Sequence, residues 1–329
     1  MVKHFLQSKN KTNPKEYIAA LDLGTNACRL LIAAITPEGY QVVDSFAKVI
    51  RLGDGLATKG HISEEATRRT LSALMICAEK IKNYNIIRER YIATAACREA
   101  SNREVFLKKI FSQTGLELEV ISPAEEARLA LIACADLLDT STRYAIAFDI
   151  GGGSTEVMWM EILPQKLPEI IQWISLPLGV VAISEALQQQ SAHLSFLQKI
   201  REAVAKEMKI FSDKAYIQPH LKKKNIQLIG TSGTITTLAA LHMNLNRYDR
   251  TRVNGLQLTS EMVKKTISSL YKMTPEKRLL HPCIGPTRSN LVMGGVAIFE
   301  GIYDVFPINP VRVADLGVRD GILLDLMRQ

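Results

Sequence analysis

The sequence predicts an α/β protein of two domains built alike, and three observations carry that expectation. The chain has 329 residues, 47% of them hydrophobic, too many for one ordinary core and suited to two domains of about 150 residues each. Residues 17–35, YIAALDLGTNACRLLIAAI, and residues 144–162, YAIAFDIGGGSTEVMWMEI, follow one plan. In both, an apolar strand runs into Asp-aliphatic-Gly, then small polar residues, then a second apolar strand, so each domain opens with the same hairpin. Asp22 and Asp149 stand 149 − 22 = 127 residues apart, about one domain length. Beyond the second hairpin, residues 225–243, NIQLIGTSGTITTLAALHM, read as strand, glycine-rich turn and helix.

Composition narrows the class. No stretch reaches the roughly 18 consecutive apolar residues of a membrane span. The opening MVKHFLQSKNKTNPK is lysine-rich without an apolar h-region, so no secretory signal is expected and residues 1–16 read as a disordered basic tail. The five cysteines are Cys28, Cys77, Cys97, Cys134 and Cys283. Their odd number, the absence of C-x-x-C and their apolar surroundings predict free thiols and a cytoplasmic location. The six histidines are scattered singly, which speaks against zinc chemistry.

Charge is uneven. The tail 1–16 carries +3 (four Lys, one Glu), residues 17–141 carry −1 (15 basic, 16 acidic) and residues 142–329 carry +6 (22 basic, 16 acidic). A basic half attracts polyanions, although a solvated lysine surface explains the same count. Few aromatics interleave with the basic residues to stack bases, so nucleic acid is not the expected partner.

The paired turns have a chemical logic. Glycines let backbone N–H groups approach a ligand closely, the hydroxyls of Thr25, Ser154 and Thr155 add donors, and an Asp at a strand end offers an oxygen to a hard cation. No Lys follows the glycines as a P-loop requires, and an apolar strand rather than a helix follows DIGGGSTE, unlike a dinucleotide fingerprint. Either turn alone is equally a structural turn; the duplication with Asp before Gly favours phosphate binding.

Other segments add candidates with their ordinary explanations beside them. GTSGT at a helix start is an anion site or a plain N-cap. In ISPAEEARLAL, Ser122 is the N-cap, Pro123 the first helical residue and Glu125 the partner of a capping box. Glu126 is left without a structural task and is a candidate general base. Arg98, in YIATAACREASNR, is a phosphate clamp or a surface ion pair with Glu99 or Glu104.

Taken in order, LDLGTNACRLLIA, RLGDGL, ATAACREASN, ISPAEEARL, FDIGGGSTE, SLPLGV, GTSGTITTLAAL and VADLGVRDGIL resemble the Ppx/GppA family of exopolyphosphatases and guanosine pentaphosphate phosphatases across nearly the whole chain. The resemblance implies two actin-like (ribonuclease H-like) domains, each a mixed five-stranded sheet flanked by helices, with an interdomain cleft. The expected boundaries are 17–140 for domain I and 141–317 for domain II, with the helix 318–329 packing back on domain I. It implies Glu126 as the catalytic base and Asp149 and Glu156 as ligands of Mg2+ or another divalent cation. Asp22, Gly24, Thr25, Asn26 and Arg98 would hold phosphate from domain I. Gly151, Gly152, Gly153, Ser154 and Thr155 would do so from domain II, with Gly230, Ser232, Gly233 and Thr234 lining the far wall.

The chain departs from the family pattern where Thr25 and Ala27 stand for Ser and Pro123 for Gly; Ala27 removes one hydroxyl donor. It resembles the short two-domain form, without the C-terminal helical domain of longer members, and a homodimer is left open. The activity implied is release of terminal orthophosphate from inorganic polyphosphate by metal-assisted water attack. The alternatives are a guanosine pentaphosphate (pppGpp) phosphohydrolase, a small-molecule kinase of the same superfamily, and a non-catalytic sensor of polyphosphate or an alarmone.

Overall fold

The structure, a computed structural model, describes residues 16–37, 39–163, 166–189 and 193–328. The tail expected to be disordered lies, but for Glu16, outside the described residues. The chain divides into two compact units, the first comprising residues to Asp136 and from Val318 onward, the second Leu137–Gly317. Among the described residues no helix is long and apolar enough to cross a membrane.

Unit 1 is built on β1 (Tyr17–Leu23), β2 (Ala27–Thr36), β3 (Gly39–Val49), β4 (Ile86–Ala93) and β5 (Glu119–Val120), in the order β3-β2-β1-β4-β5. β1–β2 and β2–β3 are antiparallel; β1–β4 and β4–β5 are parallel. The parallel strands therefore end on one edge, where loops collect functional groups. β1 reads as a continuous apolar run because helices cover both faces of the sheet. The helix Glu64–Lys82 packs against β2 and β3, and the C-terminal helix Val318–Leu326 against β1, β2 and β4. Ser63 caps the first of these by accepting from Ala66 N–H at 3.1 Å, and Glu64 and Glu65 occupy its positive end.

The C-terminal helix also crosses the helix Pro123–Cys134 backbone to backbone. A Cβ on Gly321 would collide with the Leu129 carbonyl, so only glycine permits this approach. Ion pairs lock the crossing. Arg128 forks onto Asp325 at 2.9 and 2.8 Å and onto Glu125 at 2.7 and 2.9 Å. Arg90 bridges Glu125 at 2.7 Å and Glu119 at 2.9 and 3.0 Å. Hydrogen bonds from Arg128 hold both Glu125 and Asp325 below the usual carboxylate range.

Unit 2 contains β6 (Tyr144–Ile150), β7 (Thr155–Glu161), β8 (Glu169–Leu176), β9 (Ile226–Thr231), β10 (Gln257–Leu258) and β11 (Val311–Val313), in the order β10-β11-β9-β6-β7-β8. β6–β9 and β9–β11 are parallel and the remaining pairs antiparallel. Both sheets are mixed and helix-flanked, the actin-like plan. The second has six strands rather than five, because β10 adds two residues at the edge; so short a strand has no periodicity to read. The core joins Phe148, Phe299, Leu228 and Ile235. Gly230 sits in β9 opposite Phe148, and a Cβ there would strike the Phe148 ring.

Two outcomes are expected. Stability from the Glu125–Arg128–Asp325 cluster is present above the ordinary carboxylate values of about 4 and is lost as pH falls through the depressed folded values. The Tm gap between wild type and Asp325→Asn, followed by circular dichroism, should therefore be full at pH 7 and close as pH falls below the ordinary carboxylate range; a gap constant with pH would refute the linkage. Gly230→Ala should lower urea-unfolding stability by about 1–3 kcal/mol through overpacking against Phe148.

Candidate functional site

In unit 1 the candidate residues gather at the ends of β1, β4 and β5. The β1–β2 turn is closed by Gly24 N–H donating to the Ala27 carbonyl at 3.0 Å. Its next carbonyls hold the RLGDGL turn: Thr25 C=O accepts from Gly53 N–H at 2.9 Å, and Asn26 C=O from Ile50 and Arg51 N–H at 2.9 and 3.0 Å. The tie aims the turn, and Arg51 adopts φ 49 within it, a conformation uncommon for a non-glycine.

Asp22 is buried at the end of β1, opposite Arg29 in the register, whose Nη1 lies 3.6 Å from its carboxylate. Burial raises its pKa, opposed by the charges of Arg29 and Arg319, with Asp320 on the C-terminal helix adding to the rise. An ionised carboxylate has no proton to donate, so Asp22 can meet a phosphate only when protonated or through a cation.

Arg98 and Glu126 meet. The short helix Ala95–Glu99 follows β4, and Arg98 Nη1 donates to the Ile121 carbonyl at 2.9 Å and to Glu126 Oε2 at 3.2 Å. Arg98 is thus committed to Glu126, rather than to the Glu99 or Glu104 of the surface ion-pair alternative. Ser122 caps the helix, accepting from Glu125 N–H at 3.2 Å, while the Glu125 side chain turns to Arg90 and Arg128. Glu126, its side chain 13% exposed, stands one residue on.

In unit 2 the second turn repeats the first. Gly151 N–H donates to the Ser154 carbonyl at 2.9 Å, the counterpart of the Gly24–Ala27 bond. Asp149 faces Glu156 across β6 and β7, as Asp22 faces Arg29, so the duplicated hairpins differ in the residue opposite the Asp. Unit 1 supplies a cation; unit 2 supplies a second carboxylate. Asp149 is 7% and Glu156 2% exposed, and directly opposed residues place their Cβ atoms about 4.5–5.5 Å apart, where like charges repel. Each carboxylate accepts from a hydroxyl: Asp149 from Ser232 and Glu156 from Ser175 at 2.8 Å. Among the described residues no group of three or more His, Cys, Asp or Glu gathers for a metal. Two buried oxygen donors fit magnesium, which keeps several waters and takes further ligands from substrate phosphates.

The SLPLGV segment holds the glycine turn. Val180 and Val181 N–H donate to the Gly151 and Gly152 carbonyls at 3.1 and 3.0 Å. A Cβ on Gly179 would collide with the Gly152–Gly153 peptide. Thr155 spends its hydroxyl on the Leu178 carbonyl at 2.7 Å. Gly152 and Gly153 stay partly accessible, whereas Ser154 and Thr155 are buried.

The GTSGT residues divide by role. Gly230 is a core strand residue. Thr231 is the N-cap of the helix Ser232–His242, and its hydroxyl donates to the Leu316 carbonyl. Ser232, at φ 76, turns its hydroxyl to Asp149, and Gly233 and Thr234 continue the first turn of the helix, whose N–H groups are of the kind that can take an anion. Arg288, which the sequence reading passed over, lies beside this turn. It donates to Thr237 Oγ1 at 3.0 Å and packs over the Tyr248 ring at 5.5 Å. An Arg in the Pro/Gly-rich stretch HPCIGPTRSN, just ahead of an apolar helix, was the available signal.

Comparison with known proteins places these pieces in company. Residues 31–329 match the Ppx/GppA phosphatase family. A bifunctional 3-dehydroquinate synthase/phosphatase of Fusobacterium nucleatum is 29% identical over 93% of the chain, which spans 46% of that relative. Exopolyphosphatase 2 of Mycobacterium tuberculosis is 28% identical, with 94% of the chain and 98% of the relative covered. A crystal structure of the Aquifex aeolicus Ppx/GppA member matches with TM-score 0.77 at 28% identity, over 95% of this chain and 98% of that one.

Proposed function

Because the chain belongs to the Ppx/GppA phosphatase family, we propose that it is an exopolyphosphatase, a phosphoanhydride hydrolase that releases terminal orthophosphate from inorganic polyphosphate. The observation that supports the reading is the Arg98–Glu126 pair: the short helix after β4 and the helix after β5 bring the two side chains together, Arg98 Nη1 donating to Glu126 Oε2 at 3.2 Å. The relative exopolyphosphatase 2, matched over nearly its full length, and the +6 carried by residues 142–329 (22 basic, 16 acidic) favour a long polyanion as substrate.

Glu126 takes a proton from a water whose oxygen attacks the terminal phosphorus in line; the bond from that phosphorus to the bridging oxygen breaks, and the shortened chain leaves on that oxygen. Arg98 keeps the Glu126 carboxylate oriented toward the water. Within unit 1, N–H groups at Thr25 and Asn26 are the candidate phosphate donors; within unit 2, those at Gly152 and Gly153 and at Ser232–Thr234 on the helix start are. Asp149 and Glu156 would hold Mg2+, which when bound neutralises charge on the phosphate oxygens. Phosphoryl transfer depends mainly on such positioning and electrostatics.

Three measurements test the reading. Glu126→Gln should lower kcat by about 10²–10⁴-fold with KM little changed; near-wild-type phosphate release would remove Glu126 from the chemistry. Ser175→Ala, which strips the hydroxyl from Glu156, should weaken magnesium binding in titration calorimetry and raise the magnesium needed for half-maximal rate, by about 10–100-fold; an unchanged requirement would move the cation elsewhere. Phosphate release compared on long polyphosphate and guanosine pentaphosphate, with and without magnesium, decides the substrate. Release from the pentaphosphate alone would replace the polyphosphate reading, and binding without release would make the chain a sensor. A loss of polyphosphate affinity with rising salt is expected of an extended polyanion.

A further inference from the structure

We infer that Asp325, on the C-terminal helix, is a positioning residue for Glu126; this rests on Glu126 being the base. Glu126 has its own partner in Arg98, but the roll of its helix is set by its neighbours. Glu125, one residue before, is gripped by Arg90 at 2.7 Å and by Arg128 at 2.7 and 2.9 Å. Arg128, two residues after, is held on its other side by both oxygens of Asp325, at 2.9 and 2.8 Å. Arg90 Nη1 also lies 3.5 Å from Asp325 and reaches Glu119 on β5. Two guanidinium groups and three carboxylates thus alternate across β4, β5, the Glu126 helix and the C-terminal helix.

Asp325 comes from a segment 197 residues along the chain from Arg128 and is the only member of this alternating set supplied by the C-terminal helix. The helix contact at Gly321 and Leu129 fixes the distance between the two axes one turn past Glu126. A smooth backbone contact does not resist rotation; the bidentate pair does, because a planar fork accepts one orientation. A carboxylate about 5–6 Å from the helix axis moves by about 1 Å for a roll of about 10°. A misplacement of about 1 Å can cost roughly 10²-fold in rate. Substrate contacts are untouched by such a roll, so the loss falls on kcat.

The experiment uses the full chain with long polyphosphate as substrate. Asp325→Asn should lower kcat by about 10- to 100-fold while KM stays within about twofold, and Asp325→Glu should recover part of the loss. In a Glu126→Gln background, Asp325→Asn should cause no further fall, because residues acting through one group are not additive. Wild-type kcat in Asp325→Asn, or an undiminished loss in the Glu126→Gln background, would overturn the inference while leaving the base in place. Wild-type turnover by Glu126→Gln would instead sink the base reading and this inference with it. If Asp325→Asn does not fold, Arg128→Lys, which keeps the charge and loses the fork, is measured the same way: the same split supports the inference and full activity refutes it.

Discussion

Two carboxylates buried face to face across an antiparallel pair are the constraint on which unit 2 depends. Asp149 and Glu156 sit opposite one another because β6 and β7 pair with a turn of fixed length between them, closed by the Gly151–Ser154 bond. Such an arrangement is unfavourable for the isolated fold and becomes favourable with a cation between the charges. The duplicated hairpin in unit 1 has the same turn bond and the same register, but Arg29 stands where Glu156 does. One hairpin geometry therefore carries two electrostatic arrangements: an aspartate opposite an arginine in one unit and two opposed carboxylates in the other.

The glycine turns are each closed by one N–H, that of Gly24 or of Gly151, and are held from outside through their carbonyls. RLGDGL grips the first turn through Thr25 and Asn26, and SLPLGV grips the second through Gly151 and Gly152. Both segments are far from their turns in sequence, and neither brings an acid or base of the proposed chemistry. Their task is preorganisation: a loop fixed beforehand does not have to be ordered by substrate. The hydroxyl of Ser232 on Asp149 extends the same economy, tying the helix start to the carboxylate pair.

Much of the fold was legible. The two hairpins, their strands and the helix starts at Ser122 and Thr231 follow from apolar runs broken by glycine, proline and hydroxyl residues. What escaped was local in cause. β10 is two residues long and has no pattern of its own, and Gly230 reads as a loop glycine until the Phe148 ring is seen against it. Arg288 is one of many basic residues until Gly233, Thr237 and Tyr248 surround it. Arg98 had two explanations from its own segment; the choice required knowing that β5 delivers Ile121 and Glu126 beside it.

The sequence by itself determined the paired hairpins and the Ser122 helix start, and carried the resemblance to the family, since these rest on chemistry within a few residues: turn closure, N-capping, and the spacing of Asp from Gly; the Glu125 side chain, read as a capping-box partner, instead joins Arg90 and Arg128. Only the tertiary structure decided which charges meet. Arg98 with Glu126, Asp22 with Arg29, Asp149 with Glu156 and Ser232, and Arg128 with Asp325 are set by strand order, by register and by a helix returning from the end of the chain. Electrostatic energy depends on distance and burial in space, and a one-dimensional sequence records neither.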